Sequence, residues 1–121
     1  MEIRAKINLV DEEGEPFMGP GVLRLLQRIR EDKSINRAAR QMKLSYVKAL
    51  HLLNRLEIDL GQQILIRKRG GNDRGGTELT PFGKRYVTEY NRLEEKVRTR
   101  AEREFRIFQD RVAAAAPDEH P

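Results

Sequence analysis

The chain contains no cysteine and no tryptophan, and aromatic residues make up only 6% of its 121 residues. Without cysteine it can form neither disulfide bonds nor thiolate sites, and its histidines and carboxylates do not have the spacing of metal ligands. No apolar run approaches the roughly 20 residues that span a membrane, and the N-terminus lacks the apolar segment of a signal peptide. We therefore expect a soluble, cytoplasmic protein with no metal, no cofactor and no membrane partner.

Candidate catalytic groups are equally scarce. The chain has two histidines, of which His120 lies in a short C-terminal tail, and His51 is better explained as a surface or nucleic-acid-facing residue. Ser34 and Ser45 each precede a predicted helix, where a serine hydroxyl acts as an N-cap. Because no nucleophile, base and orienting group form a recognisable set, we expect no enzymatic activity.

Charged residues, by contrast, are abundant. They make up 36% of the chain and leave a net charge of +5. The length suggests one domain, but so few apolar residues remain that part of it must be exposed or depend on a partner. The positive balance favours an anionic partner, although charge alone does not identify that partner.

The stretch from Ser34 to Gly61 predicts two helices joined by a tight turn. Ser34 and Ser45 cap the two helices, and Gly61 fits the position that follows the second one. The second helix, predicted from Tyr46 to Leu60, has polar and basic residues on the face opposite its apolar stripe. Its predicted core stripe is Ala49, Leu53, Leu56 and Leu60. This arrangement is typical of a helix-turn-helix, but an ordinary helical hairpin fits it equally well.

The flanking segments predict the elements of a winged helix-turn-helix. Residues 4–10 and 15–18 read as a β-hairpin, and residues 22–31 as a first helix that starts near Pro20. Residues 64–69 and 77–80 read as two strands around a glycine-rich turn, which is the layout of a wing. We therefore predict a mainly α fold with small β elements, in which residues 1–80 form the winged domain.

The predicted wing is strongly basic. Between residues 64 and 77 it carries Arg67, Lys68, Arg69 and Arg74 against one acidic residue, Asp73, a net +3 of the total charge. Glycines allow a backbone to approach a phosphate closely, and cations there would release counterions on binding DNA. The alternative is an exposed hairpin whose charge only aids solubility. The glycines match neither common nucleotide-binding motif.

A long helix is predicted from residue 81 to residue 112, after Thr80 as the N-cap and Pro81 at the first position. Its apolar residues recur every three or four positions, at Phe82, Tyr86, Tyr90, Leu93, Val97, Ala101, Phe105, Phe108 and Val112. Such a helix is about 48 Å long at 1.5 Å per residue, too long for the preceding domain to cover. The stripe predicts dimerisation with the same helix of a second copy, and residues 113–121 are expected to form a disordered tail.

The residues of this unit resemble two related families. AAR in the first helix of the pair, LS at the turn, LNRLEIDLG in the second helix, and then ILIR and LTPFGK are similar to LysR-type regulators. The GPG before the first helix, the LSY start of the second helix, the RKRGGNDRGG wing and the LTPFG after it more closely resemble the N-terminal domain of ModE, the molybdate-responsive repressor family. The resemblance covers about residues 3 to 110, with Leu50 and Asp73 as departures from the ModE pattern.

The resemblance implies a bacterial, nucleoid-associated transcriptional regulator that binds double-stranded DNA as a homodimer, in the manner of a repressor. The DNA contacts it implies are Ser45, Tyr46, Lys48, His51, Arg55, Arg67, Lys68, Arg69 and Arg74. The dimer contacts are Tyr86, Tyr90, Leu93, Val97 and Phe105. ModE proteins carry a molybdate-binding region after the long helix, and because the sequence ends at Pro121 we expect this chain not to bind molybdate. The alternative is a winged-helix module for protein interactions that docks through the long helix.

Overall fold

The computed structural model describes residues 1–68 and 76–117, and within those ranges it contains four helices and two small antiparallel sheets. The elements are β1 (Leu9–Val10), β2 (Pro16–Met18), α1 (Pro20–Asp32), α2 (Ile35–Gln41), α3 (Tyr46–Leu60), β3 (Leu65–Arg67), β4 (Thr77–Leu79) and α4 (Pro81–Ala115). Strand β1 pairs with β2, and β3 pairs with β4. The predicted fold class is confirmed, with a three-helix core, an N-terminal hairpin, wing strands and a long C-terminal helix.

Several predicted boundaries change. The first strand, predicted over residues 4–10, is reduced to Leu9–Val10 because β2 offers only three residues for pairing. The first wing strand, predicted over residues 64–69, is Leu65–Arg67. Helix α4 continues to Ala115 rather than ending at residue 112, because the alanines after Val112 are the best helix formers. The predicted tail therefore begins later than residue 113, and its last four residues lie outside the described part.

The core lies where α1, α2 and α3 meet the two small sheets. Its most deeply buried residues are Met18, Leu25, Leu26, Ile29, Ala38, Ala39, Ala49, Leu53, Leu56 and Ile64. The alanines of α2 and α3 allow the two helices to approach closely, as the sequence predicted. Leu60, the last residue of the predicted stripe, is only half-buried and packs against the edge of this core.

The turn between α2 and α3 is a Schellman motif. The Leu44 amide donates to the Ala39 carbonyl at 2.9 Å, and the Lys43 amide donates to the Arg40 carbonyl at 3.1 Å. Lys43 takes the left-handed position with φ 58°, which glycine usually occupies in this motif. Ser45 then caps α3 by accepting from the Lys48 amide at 3.0 Å. These bonds fix the direction in which α3 leaves the turn.

The start of α4 is anchored tightly to the wing strands. The Thr80 hydroxyl donates to the Gln63 carbonyl at 2.8 Å and accepts from the Gly83 amide at 2.9 Å. A Cβ at Gly83 would lie 2.5 Å from the Ile64 carbonyl oxygen, so only glycine permits this packing of helix against strand. On its other edge, β4 is joined to the turn after α1, because the Thr77 amide donates to the Lys33 carbonyl at 2.9 Å.

Candidate nucleic-acid interface

Helix α3 presents an exposed face between the hairpin and the wing. Its buried side is formed by Ala49, Leu53 and Leu56. Successive residues of an α-helix are rotated by 100° about the helix axis, so the residues opposite this buried stripe form a face of their own. It carries Val47, His51, Asn54 and Ile58, and all of them are exposed. We call these residues the outward face of α3, and only His51 among them belongs to the contacts predicted from the sequence.

The predicted contacts at the start of α3 lie around this face. Tyr46 and Lys48 are exposed, and the Ser45 hydroxyl oxygen serves as the helix cap. Lys48 and His51 also line an open groove of about 780 Å³ between α3 and the hairpin, together with apolar side chains such as Phe17. The structure therefore brings Lys48 and His51 together in one groove, whereas Tyr46, two residues before Lys48, lies on the other flank of the helix.

Arg55 differs from the other predicted contacts because two carboxylates already bind it. Its guanidinium donates to Asp11 Oδ2 at 2.6 Å and to Asp59 Oδ2 at 2.8 Å. The hydrogen bond to Asp59 raises the pKa of Arg55 above its ordinary value. Arg55 therefore joins α3 to the hairpin, and its predicted contact with DNA stays a prediction.

The hairpin is built to hold this ion pair. Asp11 Oδ1 accepts from the amides of Glu13 and Glu15 at 2.8 and 2.9 Å, so one carboxylate oxygen closes the turn and the other binds Arg55. Hydrogen bonds from the Glu15 amide first, and then from Glu13 and Arg55, lower the pKa of Asp11. Sequence reasoning placed Asp11 in a turn but missed its partner, because the two residues lie 44 positions apart.

The other flank of α3 is joined to the wing by Glu57. Its Oε2 accepts from the Ile64 amide at 2.8 Å and from the Leu65 amide at 3.2 Å. Ile64 precedes β3 and Leu65 is its first residue, and both are buried, where a backbone amide needs a hydrogen-bond acceptor. Arg55 on one flank and Glu57 on the other thus fix the orientation of α3 relative to both hairpins.

The wing places two of its predicted cations beside this surface. Arg67 ends β3 and pairs with Thr77, and both Arg67 and Lys68 are exposed. Lys68 Nζ lies 3.0 Å from Glu78 Oε2, and its hydrogen bond lowers the pKa of Glu78. Arg69 and Arg74 lie outside the described residues.

Two further lysines lie near the base of the wing, and sequence reasoning missed them. The charges of Lys33 and Lys84 also lower the pKa of Glu78. Lys33 ends α1 with φ 55°, and its carbonyl binds the wing strand. The bond between β4 and the turn after α1 brings Lys33 to Glu78, which no local pattern could have identified. Lys84 follows β4 in the first turn of α4.

The predicted dimer residues divide into two groups along α4. Tyr90 is only 3% exposed and donates to the Ile7 carbonyl at 2.6 Å, so it packs within its own chain. Tyr86 is half-buried beside it. Leu93 and Val97 are exposed, and Phe105 stacks on Phe108 with ring centroids 6.1 Å apart. Apart from Phe82 at the helix start, the exposed part of the apolar stripe therefore lies beyond Tyr90.

Within the described residues, no group of three or more histidine, cysteine or acidic side chains is placed to hold a metal ion. No helix in the same part of the chain is both long and apolar enough to cross a membrane. The arrangement offers an exposed helix face, basic side chains and a wing, which are the parts that a helix-turn-helix uses on duplex DNA.

Residues 21–84 match the model of the bacterial regulatory helix-turn-helix proteins of the lysR family. The chain belongs to this family. The match runs from α1 through the wing to the first turn of α4, so it contains the whole surface formed by α3 and the wing but not the N-terminal hairpin. The resemblance to LysR-type regulators is thereby confirmed.

Two curated relatives extend the comparison of this lysR-family chain to ModE. It is 39% identical over 72 residues to the molybdenum transport protein ModE of Azotobacter vinelandii, covering 60% of this chain and 27% of that protein. It is 38% identical over 94 residues to the transcriptional regulator ModE of Haemophilus influenzae, covering 78% of this chain and 35% of that protein. The chain thus spans about a third or less of the length of these relatives. The expectation that it does not bind molybdate stays a prediction.

Solved structures support the same fold for this lysR-family chain. The CbnR DBD–DNA complex matches with a TM-score of 0.55 at 24% identity, covering 78% of this chain and 95% of that one. The BenM DBD complex with benA site 1 DNA matches with a TM-score of 0.56 at 24% identity, covering 74% and 99%. At this level of identity the likeness establishes the winged helix-turn-helix fold.

Proposed function

We propose that the chain binds double-stranded DNA in a sequence-specific manner as a homodimer and regulates transcription as a repressor. The observation that carries the proposal is the outward face of α3, which stands exposed between two hairpins that fix its orientation. Lys48 and His51 on or beside this face would reach base edges or nearby phosphates, and Arg67 and Lys68 would hold the backbone. The solved relatives bound to DNA support this use of the fold.

The dimer follows from the part of α4 that the domain does not cover. Leu93, Val97 and Phe108 stay exposed at helical spacing, and a stripe of this kind is typical of a helix that pairs with another. Two copies related by a two-fold axis would place their α3 helices in successive major grooves, roughly 34 Å apart. A palindromic site is the expected consequence.

The test measures affinity for duplex DNA at several salt concentrations, with light scattering for the mass of the particle. The logarithm of the binding constant should fall with the logarithm of salt concentration by about 0.9 per neutralised phosphate. The double variant Arg67→Ala, Lys68→Ala should bind all sequences more weakly and flatten this slope by about 1 to 2 per chain. The matched control removes the same two residue types from the far part of α4, by Lys96→Ala and Arg103→Ala.

The control should keep the slope of the unmodified protein. Equal affinity and equal slope for the wing variant would contradict the assignment of the wing to DNA. A dimer with no salt-dependent retention on DNA would instead favour the second candidate, a protein-interaction module. The exposed apolar stripe of α4 is the observation that favours that candidate, because it could bind a partner helix whether or not α3 reads DNA.

A further inference from the structure

Val47 is an apolar residue in a place where folding of this chain does not require one. It lies in the first turn of α3 and is 65% exposed. Valine is among the weaker helix formers because its branched side chain loses rotamer freedom. No side chain in the described part of the chain buries it, so neither local propensity nor the core accounts for a valine at this position.

The surroundings of Val47 favour a polyanion rather than an apolar protein surface. Lys48 follows it directly, and Lys43 is exposed in the turn before α3. His51 lies one turn further along the same outward face. A partner that fits here must be negatively charged around its edge and must offer a small apolar group to Val47 itself.

Duplex DNA has this combination in its major groove. The N-terminal residues of a recognition helix contact base edges there, and the one apolar group that those edges present is the 5-methyl group of thymine. The phosphates on both sides would meet the lysines. We propose that Val47 is a specificity-determining residue that packs against a thymine methyl group in the bound site. This inference rests on the proposed function.

The experiment removes single methyl groups from the DNA. A tight-binding duplex is first selected from a random pool with the unmodified protein, and each thymine is then replaced in turn by deoxyuridine, which lacks only the methyl. At one thymine in each half-site the replacement should weaken binding about fourfold, the factor expected for one buried methyl group. Val47→Ala should weaken binding to the original duplex to a similar extent and should no longer respond to that replacement.

Ile58→Ala is the matched control. Ile58 is 76% exposed on the same outward face but three turns further from the helix start, so its variant should still respond to deoxyuridine. Both variants change exposed residues, and circular dichroism should show unchanged helix content.

The inference is overturned if no deoxyuridine replacement weakens the unmodified protein, or if Val47→Ala keeps the full response. In both of those outcomes the unmodified protein still binds its selected duplex with salt dependence, so the proposed function stands. Absence of binding to every duplex would overturn the proposed function, and the inference with it.

Discussion

Helix α4 has the same apolar spacing along its length, but its two parts meet different surroundings. In the first part, residues 81–90, Gly83, Val87 and Tyr90 are buried against the wing strands and the N-terminal segment. In the second part, residues 91–115, the described residues of the same stripe are half-buried or exposed. We call the first part inner α4 and the second part outer α4.

The difference shows that periodicity predicts a helix and its apolar face but not what covers that face. Inner α4 is covered by its own chain from Gly83 onward, because the wing strands and the segment before β1 reach it, whereas Phe82 at the helix start is 41% exposed. Outer α4 extends beyond the other helices and the strands, and the N-terminal segment reaches it where the Gln109 side-chain amide lies 3.8 Å from the Met1 sulfur. Under the proposed homodimer a second molecule covers the stripe of outer α4, and inner and outer α4 should therefore respond differently to the same substitution.

The largest effect is expected from charges on outer α4. The double variant Leu93→Glu, Val97→Glu places like charges on the proposed dimer contact and should convert dimers to monomers, as measured by light scattering. Affinity for a palindromic duplex should then fall by about 100-fold or more, because two linked half-site contacts become independent.

The control for this variant is Thr99→Glu, on the opposite side of the helix from Val97. It adds negative charge to outer α4 but should leave the dimer intact. A dimer that survives the double variant would remove outer α4 from the interface and would leave the exposed stripe without an explanation.

A matched pair of valines should produce the next largest effect. Val87 is 3% exposed in inner α4, and Val97 is 36% exposed in outer α4. Val87→Ala should lower the free energy of unfolding by about 2 kcal/mol, from lost burial and the cavity left behind. Val97→Ala should change the unfolding of the isolated monomer by less than about 0.5 kcal/mol.

Urea denaturation at low protein concentration measures both valine variants. At high concentration Val97→Ala should weaken the dimer, whereas Val87→Ala should affect the fold at every concentration. Equal losses for the two variants in the monomer would mean that outer α4 is covered by its own chain.

The sequence predicted most of this fold because its signals are local. Ser45, Gly61 and Thr80 cap their helices as expected, and α3 has its predicted bounds. The short strand β1 was overpredicted because strand length depends on the partner, and β2 is only three residues long. The alternation of polar and apolar residues over positions 4–10 carried no information about the length of β2.

The candidate site was less predictable, because it depends on contacts between distant residues. The bond from Arg55 to Asp11 and the bonds from Glu57 to β3 decide how α3 is held. Arg55 therefore joins α3 to the hairpin, a contact that its basic side chain alone did not predict. Val47 was not among the contacts predicted from the sequence because that reasoning searched for polar contacts, and its exposure in the structure is what distinguishes it from a core valine.

Two tyrosines one turn apart in inner α4 should differ by about 1 kcal/mol. The Tyr90 hydroxyl donates to the Ile7 carbonyl at 2.6 Å, whereas the buried Tyr86 hydroxyl has no hydrogen-bond partner among the described residues. Tyr90→Phe should therefore lower the free energy of unfolding by about 1 kcal/mol. Tyr86→Phe should leave it unchanged or slightly higher, because it removes a buried polar group that makes no bond. Urea denaturation at neutral pH measures both, and a loss for Tyr86→Phe as large as that for Tyr90→Phe would contradict this distinction.

The smallest effect should appear only at alkaline pH. Burial, and then the neighbouring Tyr90, raise the pKa of Tyr86 from 10.0 to about 12. The folded state therefore favours the neutral phenol, and this contribution to stability is complete below pH 10 and is lost as the pH rises towards 12.

In denaturation measurements from pH 9 to pH 11.5, Tyr86→Phe should flatten the decline in the free energy of unfolding that the unmodified protein shows. All other titratable groups are common to both proteins, so the difference between the two curves reports Tyr86. Identical curves for the unmodified protein and Tyr86→Phe would show that water reaches this hydroxyl and that inner α4 is less tightly covered than its packing indicates.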